Sequence, residues 1–482
     1  MIMKFTFTIL IVISIISTKT IFTQWLPDVR LTNDTNISQT SIHANCIANS
    51  GNFVHVVWED TRDGNSEIYY KRSIDVGTNW EADTRLTNDP QNSASPSIAV
   101  NGSQIYIVWA ERRNNNDEIY FKSSTNAGLD WGVDTRLTNS AYISQQPCIK
   151  VYNTNIHVLW IDNRDGNNEV YYKRSTNSGL NWGNDIRLTN NSASSYQQSF
   201  TVNATTLHVT WTDNRDGING EIYYKKSTNN GTTWGSDIRL TNHTSSSQYS
   251  TVSHSGQYIY VAWDDYRSSN YEIYYKISSD DGESWGTDTR LTNTVASRKP
   301  FIEVSGNALH IVFSKSTSGH TDVCYKRSTD SGINWDPDLF LTNNLLSSDN
   351  TSLSVSNSTL NILWTDLRHG NGEIYYKKNP TANPIGIIPI SNEIPGDFEL
   401  MQNFPNPFNP VTNINFDLPK TDLVKIIVTD ITGKEVEVLV NEVLNPGVYS
   451  INWNAESHAS GIYFYRIITP DFSDIKKMIL LK

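Results

Sequence analysis

Only three cysteines, Cys46, Cys148 and Cys324, occur in this 482-residue chain. An odd, widely scattered set is no disulfide framework, and no spacing resembles a zinc site. Each falls in a strand-like segment, where a buried free thiol is expected. Positive charge is also scarce. Lys and Arg number 38 against 50 Asp and Glu, a formal charge of −12. Phosphate binding needs a basic surface, so nucleic acid is excluded as a partner. Long apolar runs are missing except for Phe5–Ile16. With Lys4 ahead of it and Ser17, Thr18 and Thr20 behind, that run reads as a secretory signal over residues 1–23, with a membrane anchor as the other reading. Cleavage is expected near Thr23–Gln24, and the mature chain should hold no transmembrane segment. Helical periodicity is absent throughout. No metal ligand set or cofactor motif stands out, because the Asp60-Thr61-Arg62-Asp63-Gly64-Asn65 loop lacks calcium-loop spacing and its Arg opposes a cation.

What is present is a repeat. Aromatic residues make up 11% of the chain, and polar turn formers are common, a mixture that suits an all-β protein. The phrase Trp58-Glu-Asp-Thr-Arg-Asp-Gly-Asn-Ser-Glu-Ile-Tyr-Tyr-Lys71 has equivalents starting at Trp109, Trp160, Trp211, Trp263, Phe313 and Trp364, seven copies at steps of 50 to 52 residues. A second phrase, Arg-Leu-Thr-Asn, ends at Asn33, Asn88, Asn139, Asn190, Asn242 and Asn293, with a variant ending at Asn343. Each unit reads as four short strands. In the second unit these are Ser97–Val100, Ile105–Trp109, Glu118–Ser123 and Asp134–Thr138. Four-strand units of this length predict the blades of a β-propeller, here seven. The first Arg-Leu-Thr-Asn precedes the first Trp phrase and none follows the last. The strand around Asp28–Thr32 is therefore expected to pair with Glu373–Lys377 and close the ring, leaving no open edge there.

Between the third and fourth strands lie octets of the form Ser-x-Asp/Asn-x-Gly-x-x-Trp. They include Ser73, Asp75, Gly77 and Trp80; Ser278, Asp280, Gly282 and Trp285; and Ser328, Asp330, Gly332 and Trp335. Ser and Asp can accept backbone N–H bonds, Gly can take positive φ, and Trp can cover the turn. Six such octets in register resemble the Asp-boxes, or BNR repeats, of the sialidase-like propellers. The resemblance implies a structural role for them, on the face opposite the ligand site.

The opposite face should carry Asp60 and Arg62, Asp162 and Arg164, Asp213 and Arg215, Asp265 and Arg267, and Asp366 and Arg368, with Glu111 and Arg113 in the second unit. Two residues apart on a strand, each pair lies on one side. They read either as structural ion pairs or as a ligand-binding ring. The sixth unit breaks the pattern, and Arg298, Lys299 and Lys315 are expected there as a local anion site or as drift in a redundant blade. The sialidase resemblance would imply an arginine cluster, a Tyr–Glu pair and an Asp acid/base, yet the family's Arg-Ile-Pro phrase is missing and no catalytic residue carries over.

Residues 379–396 lose the repeat and read as a linker after a propeller spanning 24–378. From 397 to 482 short strands predict a small immunoglobulin- or fibronectin-like β-sandwich. Its phrases are Asn403-Phe-Pro-Asn-Pro-Phe-Asn-Pro410, Asp430-Ile-Thr-Gly-Lys-Glu-Val436, Ala459-Ser-Gly-Ile-Tyr-Phe-Tyr-Arg466 and Lys476-Lys-Met-Ile-Leu-Leu-Lys482. These closely resemble the type A C-terminal sorting domain of the type IX secretion system. That resemblance implies a partner in the secretion machinery and a destination at or beyond the outer surface of a Gram-negative bacterium. A monomer that binds glycans or other extracellular ligands is the expected product. An exo-α-sialidase-type glycoside hydrolase and a structural surface protein are the alternatives.

Overall fold

Segments that alternate β-branched or aromatic residues with polar ones, and that stop at Asn- and Gly-bearing turns, form strands here. The computed structural model describes residues 25–482 except positions 43, 114–115, 218, 318, 357–358, 381–386, 392–394, 421, 445 and 456–457. The signal expected over 1–23 lies outside the described residues. Among the described residues every regular element is a strand.

Seven antiparallel sheets follow one another from Val29 to Asn379, and we number them as blades 1 to 7. Blade 5, for example, runs from the inside outward as Ser247–Ser255, Tyr258–Asp265, Glu272–Ser278 and Thr289–Arg290. Each inner strand packs beside the next, and Ser348–Ser356 of blade 7 returns to Ile47–Ser50 of blade 1. The architecture is an all-β propeller. Blade 2 shows how sequence reading fell short. Its inner three strands extend further than expected, over Ser93–Asn101, Gln104–Arg113 and Asn116–Ser124. Its outer strand shrinks to Thr135–Arg136. Outer edges here are held by side chains more than by ladder bonds.

The closure is built from those side chains. Val29 and Arg30 pair with Tyr376 and Tyr375. Arg30 donates to Glu373 at 2.6 Å, and the Thr32 hydroxyl donates to the same carboxylate at 2.5 Å. The identical clamp, Arg85 and Thr87 on Glu67, recurs within blade 1. Leu26 N–H donates to the Lys378 carbonyl at 3.0 Å, and Asp28 accepts from Arg368 at 2.9 Å and Lys377 at 2.7 Å.

The octet turns are folded as their residue types require. In the first, Gly77 N–H donates to Ser73 Oγ at 2.9 Å and Asn79 N–H to Asp75 Oδ1 at 2.8 Å. Gly282 on Ser278 (2.8 Å), Ser284 on Asp280 (2.9 Å), Gly332 on Ser328 (2.9 Å) and Asn334 on Asp330 (2.8 Å) repeat this. The tryptophan does more than cover its own turn. Trp80 packs edge-on against Tyr376, Trp285 against Tyr224 and Trp335 against Tyr275, at centroid distances of 5.0 to 5.2 Å, and each of these tyrosines belongs to the preceding blade. Blade 7 has no octet, and Trp25 fills the vacant position against Tyr325 at 5.1 Å.

Beyond the propeller, two four-stranded sheets share one apolar core that includes Phe416, Ile451, Trp453, Tyr465 and Leu480. This is the expected small sandwich, with two differences. Ile387–Ser391, assigned to the linker, pairs with Gly447–Asn454 as an edge strand of the sandwich. Val411–Leu418, which had no strand expectation, is a central strand whose Thr412, Ile414, Phe416 and Leu418 point inward. Its Thr and Asn content weakens the apolar–polar alternation that marks a strand, and Ile387–Ser391 carries a proline.

Candidate ligand-binding site

The repeated aspartates end the second strand of their blades, on the face where strands 2–3 and 4–1 are joined. Asp60, Asp162, Asp213, Asp265 and Asp366 are all fully buried. Asp60 accepts from the Trp58 indole at 2.8 Å, Ser38 Oγ at 2.8 Å, and Arg62 backbone N–H, Nε and Nη2 at 3.0, 2.9 and 2.7 Å. Burial opposes its ionisation, but the hydrogen bonds from Arg62, Trp58 and Ser38 outweigh that and hold it below the usual carboxylate range. Each arginine then lies over a tyrosine ring of its own blade and reaches an outer carboxylate: Arg62 to Asp83 (2.8 Å), Arg164 to Asp185 (2.9 Å), Arg215 to Asp237 (2.7 Å), Arg267 to Asp288 (2.8 Å) and Arg368 to Asp28 (2.9 Å). Glu111 and Arg113 do the same with Asp134 at 2.9 Å. With the carboxylates buried and their oxygens engaged, these pairs tie inner to outer strands.

The expected trio in blade 6 does not assemble. Lys315 stands at the position of the repeated aspartate, nearly buried, with Nζ 2.6 Å from Asp338. Lys299 donates to Asp349 at 2.6 Å and Asn350 Oδ1 at 3.2 Å. Arg298 pairs with Asp264 of blade 5 at 3.0 Å. Three cations serve three different carboxylates.

A different cluster surrounds Arg298. In blades 2 to 7 the inner strand carries a bulge near its start, and the residues at its turn, Ser95, Gln146, Gln197, Tyr249, Lys299 and Asn350, all have φ of 53 to 56°. Several of them, with Ile42 and Pro147, line a depression at the axial opening. Deeper along the axis, Lys150 of blade 3 reaches Glu303 of blade 6 at 3.5 Å. Beside the depression, the Arg298 guanidinium carbon lies 3.8 Å from the Tyr271 ring centroid and 5.3 Å from that of Tyr249. Tyr266, 44% exposed, leans on Tyr271 at 4.9 Å. Asp264 beneath is fully buried, accepting from Arg298 Nε at 3.0 Å and Lys299 N–H at 3.3 Å, while its Oδ1 has no partner among the described residues. Burial pushes its carboxyl up to about 7 against the pull of Arg298.

None of Asp264, Tyr249, Tyr266 and Tyr271 was singled out from the sequence. The signal was available in the differences between repeats. Asp264 stands where other blades have Glu59, Ala110, Ile161, Thr212, Ser314 and Thr365, and Tyr271 where they have Ser66, Asp117, Asn168, Gly220, Thr321 and Gly372. Seven near-copies draw attention to what is shared, while a site resides in what is not.

Comparison with curated proteins found no match. Solved structures similar to this chain include an ulvan lyase of polysaccharide lyase family PL25, 10% identical, covering 73% of this chain and 95% of that one with a TM-score of 0.53. The polysaccharide lyase Uly1 is 9% identical, covering 74% and 99%, with a TM-score of 0.52. A mutant of Trypanosoma rangeli sialidase displaying trans-sialidase activity is 10% identical, covering 95% and 90%, with a TM-score of 0.43. At these identities the likeness speaks for the propeller fold alone. Among the described residues no helix is long and apolar enough to cross a membrane. The family described as secretion system C-terminal sorting domain matches residues 402–481, so the chain ends in such a sorting domain and is secreted to the outer surface or the extracellular space.

Proposed function

We propose that the propeller of this secreted protein binds glycans on the face where the axial depression opens, in the sector of blades 5 and 6. One observation carries the reading: among the described residues, Tyr249, Tyr266, Tyr271 and Arg298 gather in that sector above a buried carboxylate. Sugars are recognised by flat apolar rings together with hydrogen-bonding groups of fixed direction, and this cluster offers both. The octet turns, which we read as Asp-boxes, lie on the opposite face and serve the scaffold. Aspartate–arginine pairs serve it too, each binding an outer strand to its blade. Binding rather than hydrolysis is favoured because Asp264 is wholly covered and Arg298 lies over it. The test is a glycan array on the mature protein, run beside release of sialic acid from a fluorogenic sialoside. Glycan binding without release is expected. Release of sialic acid would replace this reading by the hydrolase, and an array with no bound glycan would leave a structural surface protein.

A further inference from the structure

We propose that the propeller is an acid-sensitive ring, closed at neutral pH and loosened in mild acid at four seams held by buried histidines. His55, His157, His208 and His310 occupy one position of the second strand in blades 1, 3, 4 and 6, and all are fully buried. Each shares a hydrogen bond through Nδ1 with a tyrosine hydroxyl of the third strand: Tyr70 (2.7 Å), Tyr172 (2.7 Å), Tyr224 (2.8 Å) and Tyr325 (2.8 Å). On those tyrosines rest the tryptophans that join one blade to the next. Trp131, Trp234 and Trp285 come from the octets of blades 2, 4 and 5, and Trp25 from the closure, at centroid distances of 5.0 to 5.1 Å. Histidine, tyrosine and tryptophan thus form one column across each seam. Elsewhere the column has no histidine. Blade 7 has Asn361 in its place, accepting from the Tyr376 hydroxyl at 2.6 Å, and blades 2 and 5 have Tyr106 and Tyr260.

A neutral imidazole suits this place, since one proton serves the Nδ1–hydroxyl contact. An imidazolium donates from both nitrogens. Nε2 of His55 and of His157 has no partner among the described residues, so a proton there would leave a buried cation with an unmet donor. Nearby charges oppose it further: Arg72, paired with Glu81 at 2.7 Å, faces His55, and Arg174 faces His157. Lys226, His254 and Asp281 surround His208, with Glu283 beyond, and Asp281 Oδ1 lies 3.4 Å from its Nε2, which makes this latch the least sensitive. Beside Tyr325 and His310 stand Arg327 and Asp336. Burial holds His55 and His157 down at about 3, against an ordinary 6.5. Between those values the unfolded chain binds protons that the closed ring refuses. Each contribution is therefore whole above pH 6.5 and shrinks as the pH falls through the window. The seam of blades 5 and 6, which carries Arg298 and Tyr271, is among the three without a histidine, so acid loosens the ring elsewhere first.

The experiment is hydrogen exchange of the full mature chain at pH 7 and pH 5, read by mass spectrometry and corrected for the intrinsic rate, beside urea unfolding at both values. The octets of blades 2, 4 and 5 should lose protection at pH 5 ahead of those of blades 3 and 6. In urea, a double variant with His55→Asn and His157→Asn, the residue blade 7 already uses, should lose less stability between pH 7 and pH 5. Each replacement should restore roughly twentyfold in the folded-to-unfolded ratio, given 6.5 unfolded and about 3 folded. Asn361→His should add a latch and deepen the loss. His254 and Asp264, which also titrate in this range, are common to every variant and cancel in the comparison. Equal loss of protection in all octets overturns the proposal, as does a folded double variant with the pH dependence of the wild type. Should the double variant not fold, the exchange pattern of the wild type decides.

Discussion

At the scale of single residues, two buried aspartates of one blade behave in opposite ways because their hydrogen bonds differ. Asp265 accepts from Trp263, from Ser247 and from Arg267 through three nitrogens. Asp264, its neighbour, has one charged donor and one long backbone contact. Replacing an Asp265-type carboxylate strands a buried indole N–H and an arginine, so Asp213→Ala should cost about 3 kcal/mol in urea denaturation. These carboxylates have folded pKa values below the unfolded 3.8. Their contribution is complete above that value and is lost as the pH falls below it. For Asp264 the sign reverses. Burial raises it to about 7 from 3.8, with Asp265 adding to the rise and the Arg298 guanidinium and Lys299 N–H opposing it. Between those values the folded chain keeps a proton that the unfolded chain has released, so stability from this group falls as pH rises through the window. Asp264→Asn should therefore gain on the wild type between pH 5 and pH 8, by an amount on the order of 2–3 kcal/mol in paired thermal melts. A constant difference across that range would show that Asp264 does not titrate there.

At the scale of elements, the octet turn works as an inter-blade wedge. Gly77, Gly231 and Gly282 have φ of 73 to 81°, and a Cβ at each would stand 2.0 Å from a tyrosine hydroxyl of the preceding blade. Glycine is thus required twice over, for its φ and for the space. Gly231→Ala should lower the melting temperature by roughly 5 °C, taking about 2–3 kcal/mol for the strain and displacement of Tyr172, whereas Thr232→Ala in the same exposed turn should be near neutral. This element was readable in outline from sequence. The residues of the turn, the four-strand unit and the out-of-phase first strand all follow from spacing. Which ring each tryptophan meets does not, because that depends on how one blade sits against another. The two-residue outer strands were read too long for the same reason: their hold is a clamp such as Glu67 on Thr87 and Arg85, which leaves no mark on local alternation. At the ligand site the failure was different. Tyr249 and Tyr271 carry no mark of their own because tyrosine is abundant in every repeat, and only the packing of blade 6 against blade 5 brings these two to one guanidinium.

At the scale of the whole molecule, the two ends of the chain carry separate tasks. The N-terminal end completes blade 7: Trp25 packs on Tyr325, Asp28 ties Arg368 and Lys377, and Arg30 and Thr32 clamp Glu373. In a ring, one unfilled outer edge exposes a strand to pairing with other chains and leaves Glu373 buried without its partners. The C-terminal end carries the sorting domain, whose core is made of its own residues. Removing the two ends should therefore have opposite consequences. A chain lacking residues 24–34 should unfold early and aggregate, seen as a lower melting temperature and light scattering, with Trp25→Ala a milder form of the same defect. A chain lacking residues 402–482 should keep the propeller's melting transition and its glycan binding, yet accumulate in the periplasm of the producing bacterium when fractions are assayed. If the shortened chain still reached the surface, the address would have to lie in the propeller. If it lost glycan binding, the site would have to draw on the sandwich, contrary to a cluster built wholly from blades 5 and 6.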